Sequence, residues 1–119
     1  MQWILQWKYS LISAALPRKE DYALTSQIRR SAESISSNIS EGFGRGGDKE
    51  KVMFYRFARG SANETKNHLI YGVRVLYFEE QESLAIIAKV EAGVFELNKI
   101  IKTLENKQKI ALSLSSTLY

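Results

Sequence analysis

Between Ile87 and Leu104 the apolar residues recur at alternating spacings of three and four positions, which constrains the fold more than any other feature. The pattern is unbroken in six residues: Ile87, Val90, Val94, Leu97, Ile101 and Leu104. A repeat of about 3.5 residues keeps one apolar stripe on an α-helix and favours left-handed packing at about +20° to its neighbours. The run predicts a helix over residues 81–106. The polar and small residues of 107–119 predict a flexible C-terminal tail.

A second apolar stripe predicts a helix over residues 22–43. Its members follow one another at spacings of four, four, three and four: Leu24, Ile28, Ala32, Ile35 and Ile39. The carboxylate of Asp21 is suited to cap the first free backbone N–H groups. Four glycines between Gly42 and Gly47 end this helix, because glycine tolerates the left-handed conformation of a C-cap.

Residues 48–77 predict a helix with two different faces. Asp48 is the expected N-cap, and Glu50 in the first turn matches the helix dipole. On a helical wheel one side is apolar or small: Phe54, Phe57, Ala58, Ser61, Thr65, His68, Leu69, Gly72, Val75 and Leu76. Gly60 and Gly72 each cost about 1 kcal/mol relative to alanine, so we expect another backbone to approach closely there.

Residues 1–16 complete a set of four predicted helices. Ile4, Trp7 and Leu11 share one face, and Pro17 ends the helix. A signal peptide is disfavoured because Lys8 interrupts the apolar core and no basic region precedes it. Four helices with short connections predict one all-α domain over residues 1–106, an antiparallel up-down-up-down four-helix bundle with left-handed packing.

The composition limits the classes of function. A length of 119 residues fits one domain, and the absence of cysteine excludes a disulfide framework and a thiolate metal site. It also fits a reducing cytoplasm, which is the expected location. No segment approaches the roughly 18 apolar residues of a membrane span, so no membrane association is expected. The net charge of +4 indicates either a polyanionic partner or an ordinary basic surface.

The basic side of the predicted helix 48–77 is the best candidate for a binding surface. It spans about 37 Å at 1.5 Å per residue, and the preceding loop adds one arginine. Such a surface binds phosphates independently of sequence, or it is merely the solvated outer face of a bundle. The expected nucleic-acid-binding residues are Arg45, Lys49, Arg56, Arg59, Lys66 and Arg74.

A polar stripe flanks the apolar stripe of the predicted helix 22–43 and would lie at the edge of a helix–helix seam. It consists of Gln27, Ser31, Ser34, Asn38 and Glu41. Nearby arginines and glutamates admit two interpretations, a catalytic acid–base cluster or ion pairs that fix register and assembly. The spacing does not demand catalysis. We therefore expect Arg30 or Arg29 to pair with Glu64 or Glu41 across a seam.

Three further features favour structural roles. His68 is the only histidine and lies on the apolar side of its helix, which favours a core residue over a metal ligand. The loop Gly42–Gly47 follows a helix and precedes Asp48-Lys-Glu, whereas a P-loop follows a strand and ends in Gly-Lys-Ser/Thr. Asn38 and Gln27 are expected to bond across helices rather than to bases. No enzyme activity, metal or cofactor is expected.

Three motifs resemble those of a known family. They read QIRR at Gln27–Arg30, NISEG at Asn38–Gly42 and GSANE at Gly60–Glu64. Residues 17–104 are similar to the four-helix bundle proteins first noticed as products of intervening sequences in bacterial 23S rRNA genes. The resemblance implies a bundle that assembles as a ring-like homopentamer. A related group comprises accessory proteins of diversity-generating retroelements, which bind a reverse transcriptase and nucleic acid.

The motifs and the polar stripe supply the residues expected to fix packing and assembly. These are Gln27, Arg29, Arg30, Asn38, Glu41, Gly42, Gly60, Ser61 and Glu64. The leading hypothesis is a non-enzymatic, homo-oligomeric helical scaffold that binds RNA or DNA electrostatically through its basic face. The alternative is a protein-interaction accessory subunit of a reverse transcriptase in a diversity-generating retroelement.

Overall fold

The structure, a computed structural model, describes residues 22–118 and contains three α-helices and no strand within that range. They are α1 (Tyr22–Gly44), α2 (Asp48–Arg74) and α3 (Glu80–Leu118). The predicted helix 1–16 and the cap expected of Asp21 lie outside the described residues, so the fourth helix stays a prediction. The all-α class is confirmed. None of the described helices is both long and apolar enough to cross a membrane.

α2 is the central helix of the three. The chain reverses at residues 45–47 and again at 75–79, so α2 runs antiparallel to both α1 and α3. Each outer helix packs along α2, and the two do not pack along each other. α2 therefore carries one seam on its α1 side and another on its α3 side, and these two seams hold the candidate functional residues.

The predicted apolar stripes of α1 and α3 form the core. All five stripe residues from Leu24 to Ile39 are buried. In α3, Val94 and Leu104 are partly buried and the other four residues of the repeat are buried. These patterns predicted burial correctly because each helix turns one dominant face to its neighbours.

The helical wheel predicted the buried side of α2 less accurately. Val52 and Tyr55 are buried, whereas Phe57 on the predicted apolar side is 53% exposed. Asp48 is also not the N-cap, since Gly47 occupies that position without a side-chain hydrogen bond. The Asp48 carboxylate instead lies 3.5 Å from Lys107 Nζ on α3. Packing against two neighbouring helices decides which side of α2 is buried, and a single-helix wheel contains no information about it.

Aromatic rings cover two of the helix glycines. A Cβ built on Gly42 would lie 2.7 Å from the Tyr55 ring, and one on Gly72 would collide with the ring of Phe78. The close neighbour of Gly72 is thus a side chain, not the backbone that the sequence led us to expect. At Gly60 nothing in the described chain lies within 4 Å of the Cβ position, so the expected approach is absent there.

α2 ends at Arg74, three residues before its predicted end. Leu76 has φ 63°, and its N–H donates to the Val73 carbonyl while the Tyr77 N–H donates to Gly72. This is the Schellman pattern of a helix C-terminus, with leucine at the left-handed position where glycine is usual. Sequence alone did not mark this turn because no glycine occupies it.

α3 continues to Leu118, although the sequence predicted a helix end at residue 106 and a flexible tail. No glycine or proline occurs in residues 94–118, and lysine, glutamine, alanine and leucine there favour helix. Lys107 also lies 3.5 Å from Asp48 at the start of α2. Helix propensity is the feature that favours the longer helix.

Candidate functional site

The seam between α1 and α2 is bridged by small hydroxyl side chains. Thr65 Oγ1 donates to Ser31 Oγ at 2.7 Å, and both side chains are fully buried. Farther along, Ser34 Oγ and Ser61 Oγ lie 2.8 Å apart. These contacts satisfy polar groups that would otherwise be costly to bury and fix the register of the two helices.

A charged pair continues this seam toward solvent. Arg30 Nη2 donates to Glu64 Oε1 at 2.8 Å and to Gln27 Oε1 at 2.7 Å, which confirms the predicted arginine–glutamate pair. His68 Nε2 lies 3.5 Å from the same Glu64 oxygen and is buried without a hydrogen-bond partner. Because the Arg30 and Glu64 side chains are 63% and 40% exposed, the pair contributes at most about 1 kcal/mol.

The other seam candidates have different neighbours. Asn38 Nδ2 donates to the Ser34 carbonyl at 2.8 Å, and Gln27 Oε1 accepts from Arg30, so both amides bond within α1 rather than across helices as expected. Glu41 pairs with Arg45 at 3.2 Å, and Arg29 makes no hydrogen bond or ion pair with any described residue. The Arg30–Glu64 pair and the hydroxyl contacts link α1 to α2, whereas Asn38, Glu41 and Arg29 do not. Within residues 22–118, no group of three or more histidine or acidic side chains is placed to hold a metal.

Three basic residues of α2 face α3, whereas Lys51 Nζ donates to the carbonyls of Gly42 and Phe43 at the end of α1. Arg56 Nη2 lies 2.6 Å from Glu105 Oε1, and Arg59 Nη1 donates to Asn98 Oδ1 at 2.8 Å. Lys66 Nζ lies 3.7 Å from a Glu91 carboxylate oxygen. The predicted basic side of α2 is therefore present in the structure, but three of its cations already have partners on α3.

α3 adds two lysines to this surface. Lys102 and Lys109 share a helix face with Asn98 and Glu105, since these positions follow at spacings of four, three and four. Both lysines are exposed. We use the name basic face for Lys49, Arg56, Arg59, Lys66, Lys102 and Lys109. Sequence reasoning missed the two α3 lysines because it searched one helix, although their helical spacing was visible.

Six cations on the basic face meet only two ion-pairing carboxylates. Glu91 and Glu105 each pair with one cation. Lys49, Lys102 and Lys109 make no ion pair with any described residue. Because Arg56 remains 54% exposed in its pair, its charge is screened by water rather than enclosed. The face keeps a positive field that a polyanion can meet.

Arg45 lies apart from the basic face, whereas Arg74 follows Arg56 by five helical turns on the same side of α2 and lies beyond Lys66. Arg45 lies between Glu41 and Glu50, at 3.2 and 3.8 Å, with its guanidinium 4.8 Å from the centre of the Phe54 ring. It thereby fixes the loop between α1 and α2. Arg74 lies in the last turn of α2, where it complements the helix dipole at the far end from Lys49.

A groove of about 1180 Å³ lies between the first turns of α2 and the later turns of α3, and Lys49 and Arg56 of the basic face are among its lining residues. Met53 and Phe57 line it from α2, and Ala111 and Leu112 line it from α3. Phe57 packs edge-on against Phe54, with 6.1 Å between the ring centres. The groove thus combines apolar side chains with charged ones, and it adjoins the Arg56–Glu105 pair.

Comparison with known proteins places this chain among related sequences and structures. The family described as 23S rRNA-intervening sequence protein matches residues 5–103. A crystal structure of a protein of unknown function from the S23 ribosomal protein family of Bacteroides thetaiotaomicron VPI-5482 is similar, with 24% identity and a TM-score of 0.69. The similarity covers 83% of this chain and 88% of that one, and it shows a shared fold. No curated protein matches.

Proposed function

This chain belongs to the 23S rRNA-intervening sequence protein family, and we propose that it is a non-enzymatic helical scaffold that binds RNA or DNA. The observation that carries the proposal is the basic face, in which six cations from two helices surround two pairing carboxylates. Arg56 and Lys66 hold their carboxylates at the solvent boundary, where exchanging a carboxylate for a phosphate has a small free-energy cost.

The dimensions of the basic face suit a nucleic-acid backbone. From Lys49 to Lys66 it extends about 25 Å along α2, or roughly seven phosphate steps of one strand at 3.4 Å each. Each neutralised phosphate releases counterions, so six contacts give a slope of about −5 for log affinity against log salt. No aromatic side chain alternates with these cations, so stacking on bases is not part of the proposal.

A direct binding measurement tests this function. Fluorescence anisotropy with labelled RNA and DNA duplexes should show sequence-independent binding at low salt that weakens steeply as salt is raised. Absence of binding at low salt contradicts the proposal.

The scaffold is proposed to assemble into a homo-oligomer, a pentamer according to the family resemblance. Assembly would repeat the basic face around one particle and so raise its avidity for a long polyanion. Light scattering after size exclusion should give five times the 13.6 kDa subunit mass, or a multiple of five. A monomer at micromolar concentration contradicts this part of the proposal.

A different observation favours the second candidate, an accessory subunit of a reverse transcriptase. Leu76 is held at a positive φ with 90% of its surface exposed, and Glu79, Glu80 and Glu82 follow it. Strained residues on rigid turns often mark contact sites. An apolar knob with an acidic margin complements the basic surface that a polymerase presents to nucleic acid.

Co-expression with a retroelement reverse transcriptase tests the second candidate. The polymerase should co-purify with the wild-type chain and be lost on Leu76→Glu, whereas nucleic-acid binding through the basic face should be unchanged. Equal co-purification of both forms contradicts the use of Leu76 as a contact.

A further inference from the structure

An exposed aromatic ring borders the basic face on its α3 side. Phe95 is 63% exposed, so none of the described helices encloses its side chain. It lies in one row of α3 with Glu91, Asn98 and Lys102, because these four positions follow at spacings of four, three and four. The row that contacts the cations of α2 therefore also carries this ring.

Two contacts between α2 and α3 place a cation on either side of the ring along the helix. One turn before Phe95, Glu91 lies 3.7 Å from Lys66 Nζ. About one turn after it, Asn98 Oδ1 accepts from Arg59 Nη1 at 2.8 Å. The two contact points are about 10 Å apart along α3 at 1.5 Å per residue. The ring thus lies between two places at which the basic face reaches α3.

A further cation contacts the ring itself. Lys99 Nζ lies 5.1 Å from the centre of the Phe95 ring, which is a cation–π distance. The same Nζ lies 3.4 Å from Glu96 Oε1, and these lysine and glutamate side chains are 59% and 46% exposed. Because an exposed ion pair is weak, turning the ammonium toward a phosphate has a small free-energy cost. The ring and the ammonium lie side by side, as a base and its phosphate do in a nucleotide.

We propose that Phe95 stacks on an unpaired base of a single-stranded nucleic acid whose phosphates lie on the basic face, an inference that rests on the proposed function. Cations that follow the backbone, together with aromatic rings that stack on bases, are the general means by which proteins hold single strands. The cations of the basic face act on the backbone alone. Phe95 at its border adds a stacking surface for one base.

Stacking makes the binding depend on whether the strand is paired. In a duplex the bases are paired and stacked on one another, so a ring on the surface of a helix bundle meets the backbone only. In a single strand a base can turn out and lie on an aromatic side chain. The basic face should therefore hold both forms by charge, whereas Phe95 should contribute to single strands only. RNA and DNA can both supply the base.

Phe95→Ala tests the contact with paired and unpaired ligands of the same sequence. Anisotropy titrations use labelled oligo(U) and oligo(dT) of about 12 nucleotides, each alone and annealed to its complement. The variant should bind the single strands about tenfold more weakly and the duplexes with unchanged affinity. The single strand with the larger loss identifies RNA or DNA as the preferred source of the base. Unchanged binding of both single strands, or an equal loss on the duplexes, overturns the proposal.

Two further substitutions at the same position separate stacking from apolar area. Phe95→Trp keeps a flat ring and should bind single strands at least as tightly as the wild type. Phe95→Leu keeps an apolar side chain without an aromatic face and should lose as much affinity as Phe95→Ala. Wild-type binding by the leucine variant overturns stacking as the contact.

Phe43→Ala is the matched control. Phe43 is 72% exposed, and Lys51 Nζ lies 5.8 Å from its ring centre, so it forms the same kind of lysine–phenylalanine pair. It lies at the end of α1, which does not pack along α3. Its substitution should leave binding to single strands and duplexes unchanged. Equal losses on single strands for Phe43→Ala and Phe95→Ala overturn Phe95 as the specific contact.

Salt dependence separates this inference from the proposed function. Phe95→Ala removes no cation, so its slope of log affinity against log salt should equal that of the wild type. A smaller slope in this variant overturns stacking as the contact. Salt-dependent duplex binding without any effect of Phe95→Ala on single strands overturns the stacking alone and leaves the basic face in place. Absence of binding to all four ligands at low salt overturns both.

Discussion

The ring of Tyr55 packs directly on Gly42, at the point where α1 ends and the chain turns into α2. A Cβ on Gly42 would lie 2.7 Å from Tyr55 Cε1, 3.0 Å from Cδ1 and 3.2 Å from Phe54 Cβ. Tyr55 is only 4% exposed, so its ring has little space into which it could move. The glycine of the NISEG motif is thus required by the packing of the α1–α2 corner.

Gly42→Ala should destabilise the protein by about 1–3 kcal/mol, because overpacking forces Tyr55 or the helix end to shift. At this chain length, that is a fall in melting temperature of several degrees, about 3–6 °C for each kcal/mol. Thermal unfolding followed by circular dichroism measures it.

Gly60→Ala is the matched control for Gly42→Ala. Gly60 is helical and has open space at its Cβ position, so alanine there should raise stability by about 0.5–1 kcal/mol. Similar changes in melting temperature for the two variants would contradict the packing account. A loss of stability or of particle mass on Gly60→Ala would place a neighbouring subunit at this position.

Leu76→Gly should stabilise the α2–α3 turn. A non-glycine residue in the left-handed region costs about 1–2 kcal/mol, and the exposed leucine side chain offsets little of that cost. Allowing for the greater freedom of glycine in the unfolded chain, we expect a net gain of roughly 0.5–1 kcal/mol. Urea unfolding would show a higher midpoint with an unchanged slope. A lower midpoint would indicate that the leucine side chain makes a stabilising contact in the assembled protein.

Thr65→Val should destabilise the protein more than Glu64→Ala, although only the second removes a charge. The Thr65 hydroxyl is fully buried on Ser31, and loss of this bond costs about 1–2 kcal/mol. The Arg30–Glu64 pair is solvent-exposed, so its loss costs less than about 1 kcal/mol. Chemical unfolding of both variants measures the difference. The reverse order would show that Glu64 acts in a more enclosed setting, such as a subunit contact.

Stability should fall as the pH rises above about 10, and Tyr55→Phe should reduce this fall. Burial raises the pKa of Tyr55 above its ordinary value of 10.0, so the folded chain holds the phenol proton more tightly than the unfolded chain does. The stabilisation is complete below the unfolded pKa and is lost as the pH rises through the higher folded pKa. Unfolding free energies of both forms at pH 8 and pH 11 measure it. Equal losses in wild type and variant would assign the alkaline fall to other groups.

Helical spacing predicted the core because burial in α1 and α3 is decided within each helix. The stripe from Leu24 to Ile39 and most of the repeat from Ile87 to Leu104 are buried as expected. The pair Arg30–Glu64 was also predictable, since the polar stripe adjoins the apolar one. In each case the pattern along one helix contained the information.

The remaining features depend on contacts between helices. Lys107 of α3 lies 3.5 Å from Asp48 of α2, and Gly47, which has no side chain, occupies the N-cap of α2. Phe57 is exposed because α1 and α3 cover two sides of α2, and these do not coincide with the side that the wheel predicted to be apolar. Lys102 joins the basic face only because α3 packs beside α2. A helical wheel drawn for one helix shows none of these contacts between helices.

The most direct test of the central claim, that the basic face binds nucleic acid, compares Lys102→Glu with Arg29→Glu. Both residues are exposed and neither pairs with a described residue, but Lys102 lies on the basic face whereas Arg29 lies on α1, which does not pack against α3. In an RNA-binding titration over a range of salt, Lys102→Glu should weaken binding about tenfold at low salt and reduce the salt slope by about 1 or more. Arg29→Glu should leave both values near those of the wild type. Equal losses in the two variants, or binding that does not respond to salt, would contradict the account.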